Sequence, residues 1–214
     1  MPANPFESPA LASRYERWYL TAGRRADRLE KRLLTRLLEE LGDPRSVVEI
    51  GCGTGHFSRW LATREITVTA LDLSLPMLHE AQRLGTSRLA AGYGDRLPLA
   101  DRSCDVALLV TVLEFVADID AVVREAARVT RTGLLIGALN RRSLLGRKLT
   151  RRGAEPWTSA RLPTVGELRD ALLRAAADRR PEVRWRTTLW PAIDRSMPLP
   201  WGGFIGLVAR WTRS

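Results

Sequence analysis

Three glycines at alternate positions, Gly51, Gly53 and Gly55, follow directly on the β-branched run Val47-Val48-Glu49-Ile50. Alternating glycines after a strand let the backbone turn sharply and approach a ligand at the carboxyl edge of a sheet. A nucleotide-phosphate loop needs a glycine pair enclosing four residues and then Lys-Ser/Thr; neither that lysine nor that spacing is present. A dinucleotide fingerprint needs a third glycine at position 56, where the chain has His56. What remains is an acid, Glu49, a Gly-x-Gly-x-Gly turn, and a second acid, Asp72, closing the next β-branched run.

Such a turn works only if a sheet holds it. Leu29, Leu33, Leu37 and Leu41, with Leu34 and Leu38 beside them, predict a helix over 24–41, capped by Gly42 and stopped by Asp43-Pro44. The periodicity then predicts strands at 47–50, 68–71 and 89–91 and a buried strand at 105–110. Helices are expected at 57–63, from Ser74 to about Leu84, and from Asp118 onward, before a strand at 134–136. Thr164 to Glu167 has the form of a capping box opening another helix. Strand-like stretches at 183–190 and 204–211 have no helix between them and should pair antiparallel at one edge of the sheet. The alternation predicts a doubly wound α/β fold, mostly parallel, with an antiparallel C-terminal hairpin strand.

Length and composition exclude several classes. The 214 residues suffice for one well-buried core, with 45% hydrophobic and 27% charged residues. The longest apolar run, 106–113, is far short of a membrane span, and the start shows no signal-peptide pattern, so a cytoplasmic protein is expected. Cys52 and Cys104 cannot make a disulfide framework or a four-ligand metal site, and no metal is expected. Net charge is +10, and all of the excess lies in residues 141–214; residues 46–140 sum to −2. Arginine carries nearly all of it, since Lys31 and Lys148 are the only lysines. Either a solvated face or a face meeting something anionic would produce this.

The run Glu49-Ile50-Gly51-Cys52-Gly53-Thr54-Gly55, with Asp72 after the second strand, resembles the class I S-adenosylmethionine-dependent methyltransferases. It is most similar to their small-molecule branch, typified by the ubiquinone/menaquinone-biosynthesis enzymes. Gly94-Asp95-Arg96-Leu97-Pro98-Leu99, Ser103 to Ala107 and Val112 to Val116 fall in register with that family's later motifs. The resemblance covers roughly residues 46–138 and implies a Rossmann-like sheet binding S-adenosylmethionine. By it, Asp72 accepts the ribose hydroxyls, Asp95 the adenine amine with the Arg96 backbone beside it, and Glu49 orients the loop and the methionine amino end. It further places Cys52, Leu73 and Met77 round the cofactor, Thr111 on the sulfonium side, and Trp18 in an aromatic lid at 15–19. A mildly acidic core segment suits a sulfonium cation with a ribose diol.

One domain is expected, with a helical lid at 1–42, a cofactor core at 43–140, and a substrate-side insert with the hairpin at 141–214. The acceptor is far less legible. An Asn/Asp-Pro-Pro-aromatic element, which would hold a planar nitrogen, is absent at Thr111 to Phe115. Phe115 stands where many small-molecule relatives have His, which removes an obvious general base. Methyl transfer is an in-line displacement, so alignment and water exclusion can supply much of its rate. Tyr15, His56 and Glu114 are the candidate catalytic residues, with Tyr19 and Asn140 behind them. Trp157, Trp185, Trp190 and Trp201 could wall an acceptor pocket. The reading is methylation of a lipophilic or anionic small molecule. Its rivals are an RNA methyltransferase, disfavoured by the missing element, and a non-catalytic cofactor-binding module. The basic stretch 141–152, six cations without an acid, could attract an anionic molecule or touch an anionic membrane surface, or be a solvated loop.

Overall fold

A computed structural model describes residues 5–153 and 155–212. Two helices precede the sheet, α1 (Pro9–Leu20) and α2 (Arg24–Glu39). There follow β1 (Ser46–Ile50), α3 (His56–Ala62), β2 (Thr67–Asp72), α4 (Leu75–Arg83), β3 (Leu89–Ala91), β4 (Cys104–Val110) and α5 (Ile119–Val129). The chain continues through β5 (Thr130–Leu139), α6 (Leu144–Arg152), α7 (Val165–Ala175), β6 (Pro181–Thr188) and β7 (Phe204–Trp211).

The seven strands order as β3-β2-β1-β4-β5-β7-β6. β1 to β5 are parallel, as expected for strands joined by helices; β7 runs antiparallel to both neighbours. The expected hairpin is therefore present, with its second strand inserted beside β5 and its first on the outside. Helices cover both faces. Leu168 and Leu172 of α7 pack with Val122, Val123 and Ala126 of α5 on one face. Leu33, Leu34 and Leu37 of α2 pack with Phe57 and Trp60 of α3 on the other. α2 lies so close to β7 that a Cβ at Gly206 would meet Leu33 and Leu37 within 3 Å.

Local signals set the helix starts. Ser74, Asp118 and Thr164 each accept a backbone N–H from the following turn, and Thr164 with Glu167 completes the capping box. Two stretches depart from expectation. β5 begins at Thr130, immediately after α5, because the Thr130 hydroxyl donates back to Ala126 and accepts from the Trp211 indole, which replaces a connecting loop. The 141–152 stretch is no solvated loop: Ser143 caps a helix at Gly146, and Leu145 and Leu149 seat it on the core. Arg147, Lys148 and Arg151 face outward.

Because Leu37 is fully buried between α2 and the sheet, Leu37→Ala should cost about 2–5 kcal/mol. Urea unfolding of the two proteins would show it as a lowered midpoint at unchanged slope.

Candidate functional site

The glycine loop leaves β1 with Gly51, Gly53 and Gly55 at φ values of +69°, +54° and +74°. Only glycine adopts this region without strain. The three are not equivalent. A Cβ at Gly51 would strike Val112 at 2.4 Å, and one at Gly55 would strike the Thr86 hydroxyl at 2.1 Å. A Cβ at Gly53 would meet nothing within 4 Å, so the middle glycine faces open space.

Asp72 braces this loop from the end of β2. One carboxylate oxygen accepts the Gly53 amide at 2.7 Å, and the other accepts the Ser74 amide at 2.8 Å. Burial raises its pKa, and the amide bonds oppose that. β3 lies beside it: Ala91 pairs with Asp72, and the Gly92 amide donates to the Asp72 carbonyl. The turn that follows is closed by the bridge of Tyr93 with Arg96 and held by Glu125, which accepts the Leu97 amide. Asp95 and Arg96 are exposed on it. Leu73 and Tyr93 are 42% and 52% exposed, so apolar surface flanks the Asp72 carboxylate. Tyr93 was not among the expected residues, and its place beside Gly94-Asp95 was the signal available.

Glu49 is 1% exposed. It accepts a short hydrogen bond from Ser58 of α3, and burial pushes its pKa up to about 8. It therefore supports the helix behind the loop and offers no carboxylate at the mouth. Cys52 and Met77 are buried as well, Met77 as part of the packing of α4.

A charged chain ties the loop to the first two helices. Glu16 accepts from the Thr54 hydroxyl at 2.6 Å and from Arg59 at 2.7 Å. His56 bonds Asp27 at 2.7 Å, lies 3.6 Å from Glu16, and stacks on Tyr19 at 3.7 Å. Burial pulls the His56 pKa down, but Asp27 and Glu16 outweigh it and leave it raised. His56 is thus a loop-packing residue, with both ring nitrogens facing carboxylates. Glu16 is held down to about 2 by His56, Thr54 and Arg59 against the opposing effect of burial.

Across the loop, at the end of β4, Thr111 takes φ +52° and its hydroxyl lies 3.4 Å from the Tyr15 hydroxyl. A non-glycine residue in this region marks backbone strain. Glu114 is 1% exposed; one oxygen accepts the Leu139 amide at 2.7 Å, and the other has no partner among the described residues. Burial pushes its pKa up to about 7. Phe115 packs against Phe6 at 4.9 Å and Trp157 at 5.8 Å. Phe6 also takes the Ser74 hydroxyl on its carbonyl. The segment before α1 therefore crosses from the end of β2 to the end of β4, over the glycine loop.

Other expected residues fall elsewhere. Trp18 is 43% exposed and lies over Gly23, so Tyr15, not Trp18, is turned toward Thr111. Tyr19 is spent on stacking His56. Asn140 is fully buried and ties its amide to Pro200 and Gly202. Of the tail tryptophans only Trp157 joins Phe115: Trp185 packs on the core, Trp190 donates to Thr187, and Trp201 is exposed.

The family described as a methyltransferase domain matches residues 48–136. A solved Thermotoga maritima protein, titled a SAM-dependent methyltransferase and possible histamine N-methyltransferase, is similar at 29% identity and TM-score 0.80. That match covers 94% of this chain and 96% of the other. Residues 48–136 thus match a methyltransferase domain, and the fold around them is similar to that of a solved SAM-dependent methyltransferase. Curated relatives match parts of this chain. A malonyl-[acyl-carrier protein] O-methyltransferase of Pseudescherichia vulneris is 37% identical over 108 residues, 49% of this chain and 43% of that protein. Its counterpart from a Methylovorus species is 33% identical over 168 residues, 69% of this chain and 56% of that protein. The chain thus spans about half the length of these curated relatives. No helix among the described residues is long and apolar enough to cross a membrane, and none of their side chains cluster as metal ligands.

Burial raises the pKa of three carboxyls behind the glycine loop and the ends of its neighbouring strands. Glu30 and Glu49 are pushed up to about 8 and Glu114 to about 7, above an ordinary value of 4.5. Such groups hold their protons more tightly folded than unfolded, so their contribution to stability is full below about pH 4.5 and fades as pH rises through 7–8. The raised His56 acts in the same direction over this range. Chemical unfolding should therefore give a higher midpoint at pH 5.5 than at pH 8.5, and Glu49→Gln should shrink that difference.

Proposed function

We propose that this chain transfers a methyl group from S-adenosylmethionine to a small-molecule acceptor. The observation that carries this is the bracket of Asp72 on the Gly53 amide, with open space at Gly53 and apolar surface at Leu73 and Tyr93. Asp72 keeps carboxylate lone pairs for a ribose diol, and the apolar flank suits an adenine face. Asp95 and the Arg96 backbone stand one turn away for the adenine edge. Bound S-adenosylmethionine supplies an electrophilic methyl on a sulfonium, so the protein must align an acceptor and keep water out.

Phe6, Tyr15, Phe115 and Trp157 supply the apolar wall on the acceptor side, which favours a lipophilic body over an anionic one at the reacting centre. Glu114 is the candidate proton acceptor. Its unpartnered oxygen and its pKa near 7 let it take a proton from an amine or hydroxyl at neutral pH. The segment before α1 and α1 itself form the lid, wired to the loop through Glu16. Outward Arg147, Lys148 and Arg151, beside the exposed Leu144, leave α6 able to rest on an anionic membrane surface.

Calorimetry with S-adenosylhomocysteine tests the cofactor reading. Asp72→Ala should lose about 100-fold or more in affinity, two charge-assisted bonds being removed. Unchanged affinity would reject the assignment. An acceptor panel including histamine and a malonyl thioester, after the names of the similar proteins, tests the second half. With an amine, activity should rise through about pH 7, and Glu114→Gln should lower kcat and flatten that rise at unchanged cofactor affinity. A carboxylate is already nucleophilic, so turnover indifferent to Glu114→Gln would transfer the reading to a carboxylate acceptor.

A further inference from the structure

A second concavity lies on the same sheet edge. Thr188 of β6 and Leu139 of β5 both pair with Phe204, so the ends of β6 and β5 are level. Three strand spacings, roughly 14 Å, separate β6 from β4. Here α2, β6 and the connection after β6 enclose a cleft of about 400 Å³, within the range of small-molecule sites.

Its floor is apolar, formed by Leu29 and Leu33 of α2 and by Met197. Its walls carry four guanidinium groups: Arg32 and Arg36, one helical turn apart, Arg186 of β6, and Arg195. Asp194 is the one acid lining it, and Arg25 and Arg28 already bind it at 2.7 and 3.0 Å. Among the described residues, the guanidinium groups of Arg32, Arg36 and Arg195 have neither an ion-pair nor a hydrogen-bond partner. The wall is fixed in place. Thr187 and Met197 exchange two backbone bonds at 2.9 Å, and Arg186 donates to the Ser196 hydroxyl and carbonyl at 3.2 and 3.1 Å.

Four like charges round one concavity repel each other, and none of them is neutralised from within the protein. Guanidinium forks match the oxygen spacing of carboxylate and phosphate. The half-buried Met197 and the aliphatic stems of the arginines offer apolar surface to a hydrocarbon segment, which a bare inorganic ion lacks. We propose that this cleft binds an organic anion with a phosphate or carboxylate head and a short apolar segment. It is lined by α2, β6 and the segment after β6, none of which carries the glycine loop, Asp72 or Thr111, so it is a separate site and stands independently of the cofactor reading.

Calorimetry of the full chain at low salt with inorganic phosphate, octyl phosphate and octanoate tests it. Octyl phosphate or octanoate should bind about tenfold or more tighter than inorganic phosphate, weakening as salt rises, and the better of the two identifies the head group. Arg36→Ala and Arg195→Ala, both exposed changes, should each weaken binding about tenfold while S-adenosylhomocysteine affinity stays unchanged, which also reports an intact fold. Equal affinity for inorganic and octyl phosphate, no binding at millimolar concentration, or wild-type binding by both variants would overturn the proposal.

Discussion

The glycine loop holds its left-handed backbone because charged side chains from three other elements grip it. Asp72 takes the Gly53 amide from the end of β2, and Glu16 of α1 takes the Thr54 hydroxyl and the Arg59 guanidinium. His56 extends the grip to Asp27 of α2. Three positive-φ positions in five residues leave a loop with little rigidity of its own. Its shape is imposed from outside. The helices ahead of the sheet therefore shape the glycine loop and are more than a cover for the core.

Environment, more than residue type, sets what each acid does. Glu16 sits beside Arg59 and His56 and stays ionised far below neutral pH. Glu49 and Glu114 meet hydroxyl or amide donors and no cation at bonding distance, and burial keeps them protonated up to about pH 7–8. Burying a neutral carboxyl costs far less than burying its anion. The result is a site whose ionised carboxylates brace the backbone while its neutral ones lie beneath, one of them with an oxygen unspent.

Much of this was readable from residue order, because the signals are local. β-Branched runs marked β1, β2 and β4, the capping box marked α7, and the glycine cluster with Asp72 marked the binding edge. What was not readable depended on contacts between distant segments. The family resemblance marks residues 15–19 as an aromatic lid, but only packing against Gly23 and Thr111 turns Trp18 outward and Tyr15 inward. Glu49 and Asp72 look alike in the chain, yet Ser58 of α3 captures the first and the loop amide the second. α6 carries only two seated leucines among its cations, too weak a pattern to separate from a solvated stretch.

The arginine-lined cleft shares an edge with the glycine loop because of one topological fact. β7 enters antiparallel between β5 and β6, so β6 runs parallel to β5 and ends on the carboxyl edge. The connection from β6 to β7 must then lie on that edge, beside the helix starts and within reach of the N-terminal half of α2. A parallel β6–β7 crossover would have carried the chain back to the opposite edge and left the outer face of α2 bare. Arginines of the last third, Arg186 and Arg195, meet arginines of α2 only because of this return. The acids of the core segment gather three to five strands away, at the ends of β4, β1 and β2. A single sheet edge thereby carries the braced glycine loop and an arginine-lined cleft, and α2 contributes to both: Asp27 through His56 to the first, Arg32 and Arg36 to the second.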